Sequence, residues 1–225
     1  MNVLVVAAHP DDEVLGAGGT IARLTAGGSA VNILILGEGV TSRAQDPATE
    51  SDSLAHLHAA SRAAADVLGA SSLELAGLPD NRFDSIDLLD IVKLVESAID
   101  GTRPELVLTQ HGGDVNIDHH LTFRAVLAAT RPVPDHPVRS VLAFEVGSST
   151  EWAFGTLTPA FRPQVFFDIS ATLETKMRAL DAYGAELRPF PHPRSPESVE
   201  AQARRWGSGV GVAAAEAFQV IREVR

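Results

Sequence analysis

The chain has 225 residues, no cysteine, 8 histidines, and 29 acidic against 18 basic side chains, for a formal net charge of −11. Without cysteine there is no disulfide framework, thiol nucleophile or cysteine-held cluster, so any metal site must use imidazole nitrogen and carboxylate oxygen. The acid excess disfavours a nucleic-acid partner, whose phosphates need a basic footprint. The longest apolar runs are too short to span a bilayer, so no integral membrane segment is expected.

Residues 3–8 form a continuous apolar run rich in valine, the pattern of a strand buried on both faces. The N-terminus Met-Asn-Val-Leu-Val-Val has no basic segment and no cleavage pattern, so it reads as a first strand and a cytoplasmic location is expected. A polar, glycine-rich stretch (9–19) precedes a helix over 20–26, closed by Gly27 and Gly28, and residues 31–36 are a second buried strand. A helix over 50–68 stops at Gly69. A short strand over 72–76 and a turn at Pro79-Asp-Asn81 follow. Residues 85–99 place Leu88, Leu89, Val92, Val95 and Ile99 on one helical face. A strand over 105–109 and a helix over 120–130 come next, then strands over 141–146 and 165–167. Residues 172–186 and 195–225 read as mostly helical, the latter broken by Gly207, Gly209 and Gly211, with a proline-rich loop over 188–196 between them. This alternation predicts one doubly wound α/β domain with a mostly parallel sheet over residues 1–225.

In such sheets ligands bind beyond the carboxyl ends of the strands. His9-Pro-Asp-Asp-Glu13 sits there, after the first strand. Three carboxylates within three residues repel one another unless a cation offsets them. His9 and Asp12 can face one point across a tight turn, with Asp11 nearby but unligated. A second cluster follows the strand at 105–109: Asp114, Asp118, His119 and His120. One histidine from this loop completes a His/Asp/His set that suits catalytic zinc, and Asp118 beside His119 is a candidate to orient a ligand. Gly16-Ala-Gly-Gly19 is not a dinucleotide fingerprint, because Ile21 stands where the third glycine belongs; those glycines suit close helix–sheet approach.

The run Ala8-His-Pro-Asp-Asp-Glu-Val-Leu-Gly-Ala-Gly-Gly19 resembles the signature of the PIG-L/LmbE-like zinc-dependent N-deacetylases. The segments 37–43, 78–84, 114–119, 191–195 and 211–218 resemble further parts of that family, so the likeness covers nearly the whole chain. It implies a Rossmann-like fold that removes the acetyl group from an N-acetylated amino sugar or its conjugate. Carried over by motif, His9, Asp12 and His119 would hold one zinc ion per chain, Asp11 would be the general base, and Arg43 and Asp84 would grip substrate hydroxyls. A homo-oligomer is compatible with the family. Asn116 departs from the pattern, standing where many members have a second histidine. It implies that Asn116 donates a hydrogen bond to the oxyanion, or that another group, for which His192 is the candidate, supplies the acid. A metallophosphoesterase is the rival enzyme reading, because Asp118-His-His120 resembles a central motif of that class; a non-catalytic sugar-binding protein is the third.

Overall fold

The computed structural model describes residues 1–40, 47–157 and 159–225. Among these residues seven strands form one sheet: β1 (Asn2–Ala7), β2 (Ala30–Gly37), β3 (Ser72–Leu78), β4 (Leu106–Gln110), β5 (Ser140–Phe144), β6 (Val165–Asp168) and β7 (Ala215–Glu223). Six α-helices among the same residues accompany them: α1 (Asp12–Ala26), α2 (Pro47–Leu68), α3 (Leu88–Thr102), α4 (Ile117–Ala129), α5 (Leu173–Ala182) and α6 (Pro196–Val210). The strand order is β3-β2-β1-β4-β5-β7-β6. The first five strands in that order pair in parallel, and β7 runs antiparallel to both β5 and β6. Chain order reverses between β1 and β4, and that switch point is where a crevice opens in a doubly wound sheet.

β1 explains why the sheet is buried on both faces. Val3, Val5 and Ala7 join the core under α1, α2 and α5, while Leu4, Val6 and Ala8 join the core under α3 and α4. Alternate side chains leave a strand on opposite sides, so a run without polar interruptions fits only a two-sided core.

Two predicted elements and one predicted face position differ most from the structure. α1 begins at Asp12 and runs through the glycines that read as loop. Glycine weakens a helix interior, but a Cβ on Gly16 would lie 2.0 Å from the Phe144 ring, and one on Gly19 2.7 Å from Ile169. The helix lies too close to the sheet for side chains there. The C-terminal segment is not helical throughout: α6 ends at Gly211, which has a φ of 80°, and Ala215–Glu223 returns as β7. Its polar residues masked the strand pattern, because only Ala215–Phe218 is fully buried. Leu89, expected on the apolar face of α3, is 61% exposed.

Candidate active site

Two loops meet at the switch point. The first leaves β1 and starts α1. The His9 N–H donates to Asp12 Oδ2 at 2.9 Å, and the Asp12 N–H returns to the His9 carbonyl at 3.3 Å. Asp11 occupies the N-cap position with a φ of 101°, a conformation that costs a non-glycine residue about 1–3 kcal/mol and clusters at functional sites. Its N–H donates to Glu13 Oε2 at 3.2 Å, and Glu13 Oε1 accepts the Tyr183 hydroxyl at 2.6 Å. Asp12 and Glu13 also face the positive end of the helix dipole.

The second loop leaves β4. The Gln110 amide, in the orientation that satisfies both of its ends, donates to the Val6 carbonyl and accepts from the Ala8 N–H, each at 3.1 Å, and so ties the ends of β4 and β1 together. Asn116 caps α4: its Oδ1 accepts the Asp118 N–H at 2.8 Å. That cap sets His119 in the first turn, where its Nε2 lies 3.2 Å from Asp12 Oδ2. On the other side of Asp12, His9 Nδ1 lies 3.5 Å away.

The remaining nitrogen of each imidazole faces a carboxylate. His119 Nδ1 is 2.9 Å from Asp114 Oδ2, and His9 Nε2 is 2.9 Å from Asp118 Oδ2. With a metal bound, these contacts would keep the N–H on those nitrogens and leave His9 Nδ1 and His119 Nε2 as the ligand atoms. Asp118, the candidate to orient a ligand, thus sits on His9 and not on its chain neighbour His119. Neighbours on a helix point in different directions, so Asp118 serves His9, and Asp114 serves His119. Asp114 is in turn fixed by the Thr150 hydroxyl at 3.0 Å, the Asn116 N–H at 2.8 Å and the Ser149 hydroxyl. Asp118 Oδ1 accepts the Phe83 N–H at 2.9 Å.

One ligand atom each from His9, Asp12 and His119 lies within 4.8 Å of the others, a spacing and donor set that fit a zinc ion. A second group of similar spacing, His9, Asp80 and Asp118, uses the opposite imidazole nitrogen. Its Asp118 is fully buried and is absent from the cavity wall. The first group faces the cavity with all three residues.

Burial opposes charge on His9, yet its hydrogen bonds to Asp118 and Asp12 raise its pKa to about 9. His119 is raised to about 10 against burial, by Asp12 and Asp114. Burial also favours neutral Asp12, but His119 foremost holds it well below the ordinary carboxylate range. This is a site whose carboxylates draw positive charge onto the imidazoles. Burial pushes Asp11 up to about 7, with the Arg194 guanidinium opposing, and pushes Glu13 up to about 8, with the Tyr183 hydroxyl opposing.

These groups open on a cavity of about 390 Å³, within the range of small-molecule sites. Asp11, Asn116 and the three candidate ligands all line it. Trp152 and Arg194 line it too. Asp84 does not line the cavity: it is exposed in a short 3₁₀ turn, and the same loop contributes Asp80 and Asn81 instead. His192 is also outside the wall, set edge-on against Trp152 at 5.6 Å between ring centroids. Arg43 lies outside the described residues. Sequence reasoning missed the partnership of Glu13 with Tyr183 and the approach of Arg194 to Asp11. The excess of carboxylates in 9–13 was a signal that some needed partners, but nothing in the sequence named them.

Residues 4–130, more than half of the chain, match the PIG-L family, described as GlcNAc-PI de-N-acetylase. A probable N-acetyl-α-D-glucosaminyl L-malate deacetylase of Bacillus cereus is 27% identical over 191 residues, covering 82% of this chain and 83% of that protein. The N,N′-diacetylchitobiose deacetylase of Pyrococcus horikoshii has the same fold, with a TM-score of 0.79 and 17% identity over 98% of this chain and 84% of the other. A 4-carboxy-2-hydroxymuconate hydratase of Pseudomonas putida is similar too, with a TM-score of 0.78 and 25% identity over 100% of this chain and 97% of the other.

Proposed function

The chain belongs to the PIG-L family, and from that membership we propose that it is a zinc-dependent N-deacetylase that hydrolyses the acetamide of an N-acetylated amino sugar or its conjugate. The observation that carries the reading is the placement of Asp12 between His9 Nδ1 and His119 Nε2 on the wall of one cavity, with Asp11 on the same wall outside that set. A zinc ion held by His9, Asp12 and His119 would supply a Lewis acid to polarise the amide carbonyl and to lower the pKa of water.

The chain's own residues supply the rest. Asp118 and Asp114 hold the N–H of His9 and His119, so each imidazole keeps its lone pair turned toward Asp12. Arg194 occupies Asp11 Oδ2, which makes Oδ1 the oxygen that takes a proton from the attacking water and returns it to the departing amine. Asn116 Nδ2 donates one hydrogen to Asn81 Oδ1 at 3.0 Å. Its second hydrogen is the donor offered to the developing oxyanion. Trp152, 44% exposed in the wall, offers a face for the apolar side of a sugar ring.

The likeness to a hydratase makes water addition without amide cleavage the second reading, and amine release separates the two. Zinc-replete protein is expected to release primary amine from at least one of a panel of free, lipid-linked and nucleotide-linked N-acetylglucosamine compounds. No amine from any of them would overturn the proposal. Two zinc ions per chain would favour the phosphoesterase reading instead.

A further inference from the structure

The loop between α5 and α6 lies beyond the family match at residues 4–130, yet it sends one guanidinium into the cavity wall. Arg194 Nη1 donates to Asp11 Oδ2 at 3.1 Å, and Arg194 Nε donates to the Ser148 hydroxyl at 2.7 Å. The same Nη1 lies 3.9 Å from Glu186 Oε2. A guanidinium is planar, with its N–H groups in a fixed fork, so holding Nε also fixes the direction of Nη1. Ser148 is itself held. Its N–H donates to Glu151 Oε1 at 2.6 Å, and its backbone is left-handed, with a φ of 70°. The next two hydroxyls in that loop, of Ser149 and Thr150, go to Asp114, the partner of His119. One short loop after β5 therefore braces the candidate ligand His119 on one side and, through Arg194, Asp11 on the other.

We propose that Arg194 is a positioning residue for Asp11: anchored on Ser148, it holds Oδ2 and thereby presents Oδ1 to the attacking water. The proposal rests on Asp11 being the general base. It separates Arg194 from a role in gripping substrate and from a merely structural ion pair. The geometry also explains why the positive charge is an arginine. A lysine ammonium has a flexible stem and no planar fork, so it does not span Ser148 and Asp11 with one rigid group.

The test is a set of variants assayed for amine release, with zinc content and thermal melting measured on each. Misplacing a reacting group by about 1 Å costs roughly 10²-fold, so Arg194→Gln is expected to lower kcat by about 10–100-fold with KM changed less than about threefold. Arg194→Lys is expected to fall by about tenfold, and Ser148→Ala by a few fold. All three should retain the zinc stoichiometry of the parent protein. In an Asp11→Asn background, Arg194→Gln should cost little more, because groups that act as a unit are not additive. If Arg194→Gln does not fold, Arg194→Lys and Ser148→Ala carry the same test. A raised KM with unchanged kcat, wild-type rates in the variants, or full additivity with Asp11→Asn would each overturn the proposal while leaving the hydrolase reading intact. Absence of amine release from the parent protein would overturn both.

Discussion

The two sides of the cavity are built differently. The side formed by the loops after β1 and β4 is local: His9 and Asp12 lie three residues apart, Asp114 and His119 five, and each loop ends in the first turn of a helix that fixes it. The opposite side is assembled over long separations. Arg194, in the wall, meets Asp11 across 183 residues; away from the wall, Tyr183 meets Glu13 across 170. The local side collects the candidate metal-ligating atoms. The distant segment reaches across to Asp11, the carboxylate proposed to move a proton. A ligand set needs donors with fixed spacing, which a short turn provides; a base needs one oxygen restrained and the other exposed to substrate, which here takes a second segment of chain.

Variants on the two sides should separate by size. Asp11→Asn removes the proton acceptor and keeps the ligands. It is expected to lower kcat by about 10²–10⁴-fold with zinc content unchanged; near-normal turnover with zinc bound would remove Asp11 from the mechanism. Asn116→Asp is smaller and more discriminating. Aspartate caps a helix as well as asparagine does, but it loses both amide hydrogens, the one given to Asn81 Oδ1 and the one proposed for the oxyanion. A fall of about 10²–10³ in kcat is expected with a melting temperature lowered only by the loss of one exposed hydrogen bond, and a rate close to the parent's would leave Asn116 as a cap alone. His192 is not itself in the wall but packs on Trp152 and accepts the Arg194 N–H at 3.1 Å; His192→Ala should change kcat by only a few fold, without altering the pH profile. A flattened profile would restore His192 as the acid and blur the comparison.

The same contrast describes what the sequence made legible. β1, β2 and the grouping of His9, Asp12 and His119 are legible because each depends on neighbours in the chain: an apolar run for a two-sided strand, and a His-Pro-Asp-Asp turn followed by a distant Asp-His pair. Asp114 was visible as a member of its cluster, but its partner was not, since which carboxylate faces which imidazole depends on the angle between side chains on α4. α1 was read short because three glycines outweigh a helical pattern on paper, whereas in the fold they let the helix lie against Phe144 and Ile169. β7 was read as helix because half of its length is only partly buried. Nothing in the sequence pairs Arg194 with Asp11; only the return of the α5–α6 loop to the β1 end reveals that contact.

The central claim is that one zinc ion held by His9, Asp12 and His119 supports amide hydrolysis in this cavity. Its most direct measurement is a zinc titration of metal-stripped protein, with amine release followed on the N-acetylglucosamine compound that the panel identifies. The account predicts activity that is absent without metal, rises with added zinc and levels at one equivalent per chain. Activity that persists in the stripped protein, or that rises only to a second equivalent, would contradict it.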